Sequence, residues 1–173
     1  MKLVVIAHPD EAQAFLKADI EVLVTGFGKV DSAVNLAKFL SQNSYEEIIV
    51  LGTAGRVNPN IPVNTILEIV EAVQHDAPFH TETITNPRQP VKPAVSIATG
   101  DTFVEYIDSL PVDVDLVDME SYSYLKTALA FDVPIRIFKV VSDDANEGAT
   151  QEWDIKVQKL SDFLLKFYVE ELA

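Results

Sequence analysis

Six short apolar runs rich in β-branched residues punctuate the chain: 3–6, 20–24, 48–51, 65–70, 95–98 and 135–141. Several are almost continuously apolar, the mark of strands covered on both faces rather than strands with one wet face. Between them lie stretches of helical periodicity. Over 31–43, Ala33, Val34, Leu36, Ala37, Phe39 and Leu40 gather on one side, with Asp31 or Ser32 as the N-cap. Segments 121–131 and 153–172 carry the same pattern. This alternation predicts an α/β fold, a single domain over residues 1–173 with a central mixed, mostly parallel β-sheet flanked by helices. A chain of 173 residues is long enough to bury its own core without disulfide or metal staples.

Charge narrows the function classes. Twenty-seven acidic residues against 13 basic ones give a formal charge of -14, a field that repels phosphate backbones and anionic membranes. Neither nucleic acid nor a membrane is expected as a partner. With no cysteine there is no thiolate nucleophile and no thiolate metal site. The first apolar run, Leu3 to Ala7, is too short for a signal-peptide core, so the expected compartment is the cytoplasm.

In α/β folds ligands bind where strands end, so the turns after the apolar runs carry the chemistry. Five are distinctive: His8-Pro9-Asp10-Glu11, Thr25-Gly26-Phe27-Gly28-Lys29, Gly52-Thr53-Ala54-Gly55, Thr99-Gly100-Asp101-Thr102-Phe103 and Ser142-Asp143-Asp144. The glycine pairs match neither the dinucleotide fingerprint nor a P-loop, and read as tight strand-to-helix turns. His8, His75 and His80 lack metal-ligand spacing, and no G-x-S-x-G elbow is present. What remains is carboxylates at element ends: Glu11, Glu120 and Asp143. Two carboxyl groups in different protonation states can activate water and protonate a leaving group. Each also has an ordinary role open to it, as a first-turn acid, a helix cap or an Asx-turn residue.

The ordered set of Thr25-Gly26-Phe27-Gly28-Lys29-Val30, Gly52-Thr53-Ala54-Gly55, Thr99-Gly100-Asp101-Thr102-Phe103, Val117-Asp118-Met119-Glu120-Ser121 and Val141-Ser142-Asp143 resembles the nucleoside phosphorylase/nucleosidase superfamily. Within it the resemblance is most to the 5′-methylthioadenosine/S-adenosylhomocysteine nucleosidases. It implies hydrolysis of the N-glycosidic bond of an adenine nucleoside, with no cofactor and no metal. By position it makes Asp143 the acid that protonates purine N7, Glu11 (beside Asp10) the group that activates water, and Glu120 the ligand of the ribose hydroxyls. Phe103 becomes the residue stacked on the base, with Met119 under the sugar and Phe27 in a turn near the ligand. Thr53, Ala54, Gly55, Val104 and Ser142 complete the implied substrate pocket.

Phosphorylases of this superfamily carry arginines in the first turn and two residues before the Gly-Thr-x-Gly turn. Here those places hold His8-Pro9-Asp10-Glu11 and Val50, so water is the expected nucleophile, with Arg56 the one cation near enough to serve an anion. Asp144 is expected to make a second negative charge at Asp143 costly. The chain is shorter than usual members, losing a hairpin between Leu16 and Ile20 and a helix before Val95. A purine nucleoside phosphorylase and a non-catalytic nucleoside-binding domain are the alternative readings. The resemblance also implies a homodimer, for which the Pro-, Thr- and His-rich loop 74–93 would serve as a lid or interface arm.

Overall fold

The computed structural model describes residues 1–77, 82–102, 104, 107–145 and 149–173, except the side chains of 109 and 149–155. Its elements in chain order are β1 (Lys2–Ile6), α1 (Pro9–Lys17), β2 (Leu23–Val24), α2 (Lys29–Leu40), β3 (Glu47–Arg56), β4 (Ile66–Gln74), β5 (Ile84–Thr85), β6 (Ala94–Thr99), β7 (Leu116–Asp118), α3 (Ser121–Ala130), β8 (Ile135–Asp144) and α4 (Ala149–Phe167). A 3₁₀ turn at Ile107–Ser109 and a π-helical turn at Tyr168–Leu172 complete the description.

The strands of this mixed, mostly parallel sheet close into a ring. β3 pairs in parallel with β8, β8 antiparallel with β4, β4 in parallel with β6, β6 in parallel with β7, and β7 returns antiparallel to β3 through Gly55↔Val117 and Arg56↔Leu116. β1 and then β2 extend from β3, and β5 extends from β4. Five of the eight described pairings are parallel, as the apolar runs foretold. Closure comes from length and twist. β3 and β8 each run ten residues, far enough for strand twist to carry their ends round, and the register shifts at Ala54/Gly55, where a bulge bends β3 toward β7. Gly52-Thr53-Ala54-Gly55 therefore lies inside a strand and is not a turn.

Two apolar cores hold helices against this ring. One joins Leu36 and Leu40 of α2 and Tyr124, Leu125 and Ala128 of α3 to the inward side chains of β1, β3 and β8. The other joins Ala12 and Phe15 of α1 and Leu160, Leu164 and Phe167 of α4 to the opposite face. At about 1.5–3 kcal/mol for each large side chain withdrawn from water, these contacts supply the main stabilisation.

Local chemistry explains the departures from sequence expectation. α1 was not foreseen: His8 caps it, its Nδ1 accepting from Asp10 N–H at 3.2 Å, and Pro9 occupies the first turn, where its missing N–H costs nothing. Only Leu23–Val24 of the 20–24 run is strand, because Asp19 turns through φ 55 and Ile20 N–H closes α1 on Phe15 O. α2 starts at Lys29 with Gly28 as its N-cap, not at Asp31 or Ser32, and Ser32 Oγ instead donates back to Gly28 O at 2.7 Å. The described part of loop 74–93 is tied down rather than a free arm. Asn86 Nδ2 donates to Ile135 O at 3.0 Å, and buried Glu68 accepts from Val91 and Lys92 N–H at 2.6 and 3.1 Å.

Candidate active site

The strand ends of β3 and β8 lie side by side, with Gly55 opposite Asp143 across the bulge. The Asp143 carboxylate occupies the space a side chain at 55 would need: an added Cβ would stand 2.9 Å from Asp143 Oδ1. Glycine at this position is thus the condition for a buried acid, 4% exposed, at the end of β8. Ser142 Oγ hydrogen-bonds Asp143 Oδ2 and lies 3.3 Å from Ala54 O.

Glu11 arrives from the first turn of α1. Its Oε1 accepts from both Thr53 N–H at 2.9 Å and Thr53 Oγ1–H at 2.7 Å. The backbone that carries it is anchored by Ser161 of α4, whose Oγ donates to Glu11 O at 2.5 Å and accepts from Ala14 N–H at 3.0 Å. Glu120 comes from the β7–α3 junction, and its Oε1 accepts from Gly28 N–H at 3.1 Å. Although Glu120 stands in the N-cap position of α3, Asp118 caps that helix, accepting from Ser121 N–H at 3.0 Å and Ser121 Oγ–H at 2.5 Å.

Beneath these groups lies Lys139, fully buried in the middle of β8. Its Nζ is 2.9 Å from Asp118 Oδ2 and 3.9 Å from Glu120 Oε2. A Cβ at Gly52 would lie 3.1 Å from this ammonium and 3.6 Å from Glu11 Oε1, so the missing side chain at 52 is where the base and the acid converge. One ammonium thus serves Asp118, Glu120 and Glu11. Burial pulls the Lys139 ammonium toward neutrality, but the three carboxylates outweigh it and raise its pKa. Glu120 is pushed up to about 8: burial is the largest cause, Lys139 opposes it, and the negative charges of Asp118 and Glu11 add to the rise.

A cavity of about 340 Å³ opens above this floor, within the range of small-ligand sites. Glu11, Phe27, Thr53, Ala54, Gly55, Val104, Met119, Glu120, Ser142 and Asp143 all line it, so the structure brings together every one of these sequence-selected residues; Phe103 lies outside the described residues. Phe27 is 57% exposed at the mouth, its ring centroid 5.4 Å from that of His8. Sequence reasoning missed Asp118 and Lys139 as site residues. The available signal was a lysine set directly between Phe138 and Val140 inside the apolar stretch 137–141, a position where only a paired cation survives.

Two expectations need correction. Arg56 does not face the cavity: it pairs with Asp144 and donates from Nη1 to Ile61 O at 2.7 Å. Asp144, paired in this way, is not an unopposed charge beside Asp143. Among the described residues no lysine or arginine lines the cavity, and no group of three or more His, Asp or Glu side chains is disposed to hold a metal ion. No helix among them is long and apolar enough to cross a membrane.

The raised pKa of Glu120 has a consequence for stability. Between its ordinary pKa of 4.5 and about 8 the folded state binds a proton that the unfolded state has released. Its contribution is therefore fully present below pH 4.5 and is lost as pH rises through about 8. Denaturant titrations across this window should show a decline that flattens in Glu120→Gln; an identical pH slope in the variant would contradict the assignment.

Comparison with known proteins adds independent evidence. No protein-family model matches the chain. It is 25% identical to a 5′-methylthioadenosine/S-adenosylhomocysteine nucleosidase of Staphylococcus carnosus over 86% of its own length and 79% of that protein's. It is 26% identical to the nucleosidase of the same name from Staphylococcus aureus, over 89% and 82%. In three dimensions it is similar to the Helicobacter pylori nucleosidase of that name solved with a pyrrolidine ligand, at TM-score 0.85 and 21% identity over 99% of both chains. A futalosine hydrolase mutant from the same organism superposes at TM-score 0.83 and 21% identity over 99% of this chain and 100% of that one. Motif order and these likenesses agree: the chain is similar in sequence to 5′-methylthioadenosine/S-adenosylhomocysteine nucleosidases and shares the fold of the solved nucleosidase and futalosine hydrolase.

Proposed function

We propose that the protein, acting as one unit over residues 1–173 in the cytoplasm, hydrolyses the N-glycosidic bond of an adenine nucleoside such as 5′-methylthioadenosine or S-adenosylhomocysteine. The observation that carries this reading is the convergence of buried Glu11, Glu120 and Asp143 on one cavity whose described lining holds no lysine or arginine. The names of the staphylococcal relatives support it.

In this mechanism Asp143 gives its proton to N7 as the C1′–N9 bond breaks, so the base leaves neutral and the bonding electrons stay with it. Glu11, held by Thr53, takes a proton from water as its oxygen bonds to C1′. Glu120 binds the ribose hydroxyls: a carboxyl that titrates near neutral pH can both accept from and donate to a diol. The acidic floor favours the positive charge that develops on the sugar ring. A phosphorylase would need a cationic group for the attacking anion, and Arg56 is engaged elsewhere. Glu11 poised on Thr53 has no evident use in a domain that only binds nucleosides.

The test is adenine release from methylthioadenosine in phosphate-free buffer. Added phosphate should leave the rate unchanged, and Asp143→Asn should lower kcat by about 10²–10⁴-fold, the usual contribution of a positioned acid. Asp144→Asn, which disturbs only the Arg56 pair, should be much milder. A strict phosphate requirement, or equal losses at the two positions, would overturn the reading.

The working form is proposed to be a homodimer. The tied-down loop 82–93 is not its support. Support comes from Val30 and Val34, 70% and 58% exposed one turn apart on α2, beside exposed Phe27 at the cavity mouth. Light scattering at micromolar concentration should return twice the chain mass; a monomeric mass with activity intact would refute this.

A further inference from the structure

Lys29 lies outside the cavity lining, yet it ties together three segments, two of which line the cavity. Gly28, at φ 86, caps α2 without a side chain, so the first amides of the helix find acceptors from other elements. Gly28 N–H goes to Glu120 Oε1 at 3.1 Å, and Lys29 N–H goes to Asp101 Oδ1 at 2.7 Å. A Cβ at Gly28 would stand 3.2 Å from that same Asp101 oxygen, so glycine also permits the approach.

The Lys29 side chain then turns back across the gap. Its Nζ is 3.0 Å from Gln74 Oε1 at the end of β4, 2.5 Å from Asp76 Oδ1 and 3.9 Å from Asp101 Oδ2. Asp76 closes the circuit by accepting from Asp101 N–H at 3.0 Å. Burial alone would raise the Asp76 pKa, but the Lys29 and Asp101 hydrogen bonds outweigh it and hold the carboxyl below its ordinary value. Lys29 is only 18% exposed at its side chain, so this cluster is drier than an ordinary surface ion pair. The β2–α2 turn carries Phe27 and the segment after β6 carries Thr102 and Val104, and all three residues line the cavity.

We propose that Lys29 is a positioning residue: its clamp on Asp76 and Asp101 fixes the separation of the two loops that wall the cavity, and it keeps Gly28 N–H on Glu120. Neither proton carrier is touched, because Asp143 hangs from β8 and Glu11 from α1. Loss of the clamp therefore weakens substrate capture more than it slows bond cleavage. This kinetic consequence rests on the nucleosidase reading; the structural consequence does not.

The experiment compares Lys29→Met, Lys29→Arg and Asp76→Asn with Lys38→Met, which removes an exposed lysine from the last turn of the same helix. Lys29→Met should raise KM for methylthioadenosine by about 10–100-fold with kcat within about threefold, since displaced walls weaken binding of substrate and transition state alike. Asp76→Asn should move the same way, Lys29→Arg should recover most of the loss, and Lys38→Met should be silent. Hydrogen exchange by mass spectrometry gives a readout independent of turnover: in Lys29→Met, protection should fall at peptides covering 26–30 and 100–102 while α4 stays protected. If the unaltered protein cleaves no nucleoside, the functional reading fails and the exchange result alone decides the clamp. Wild-type KM and wild-type exchange in Lys29→Met would overturn the proposal. So would a kcat loss with unchanged KM, or failure of Lys29→Arg to recover. Should Lys29→Met not fold, normal KM and exchange in Asp76→Asn would overturn it equally.

Discussion

Three carboxylates buried at one end of a closed sheet would repel one another and the rest of an acidic chain, and one buried ammonium makes their company tolerable. Lys139 reaches Asp118 directly and stands within range of Glu120 and Glu11. Burying an unpaired charge costs several kcal/mol, so none of these groups is independent of the others. Their charges do not balance. With three acids to one base, the floor stays electron-rich, and Glu120 relieves the excess by holding its proton up to about 8. A nucleoside whose sugar becomes cationic at the moment of cleavage would meet an environment already short of positive charge.

The ring architecture is what lets such groups meet. β8 supplies Lys139 from its middle and Asp143 from its end, and β3 offers Gly52 and Gly55 at the matching places, where an added Cβ would crowd Lys139 Nζ and Asp143 Oδ1 respectively. The bulge at Ala54/Gly55 serves both ends of the argument, bending β3 to close on β7 and setting Gly55 opposite Asp143. α1 brings the remaining acid, and Ser161 of α4 fixes the backbone beneath it. Secondary structure, glycine placement and charge are thus consistent solutions to one packing problem.

Much of this was legible in the residues. The β-branched runs marked most strand positions, and five ordered motifs identified the cavity lining because each is a local string whose meaning survives without coordinates. Ring closure was not legible, since it depends on the β3–β7 pairing between residues some sixty apart and on strand lengths that apolar runs understate. α1 escaped because only Ala12, Ala14 and Phe15 of its nine residues are buried apolar side chains, too few to show a helical stripe. β5 and β7 are two and three residues long and owe their existence to neighbours. Arg56 and Asp144 were misjudged for a related reason: their mutual pairing is a contact between strands β3 and β8, and proximity in sequence to Gly55 and Asp143 said nothing about direction.

The central claim is that the acidic floor is built for a cationic sugar ring, and ligand affinity tests it most directly. Two compounds would be titrated by calorimetry into Asp143→Asn, which leaves the floor intact and slows consumption of substrate: a methylthioadenosine analogue whose ribose is replaced by a protonated pyrrolidine, and methylthioadenosine itself. The account predicts that the cationic analogue binds at least about 10²-fold more tightly, the lower end of what transition-state mimics gain over substrates. Equal affinities, or tighter binding of the neutral nucleoside, would contradict it.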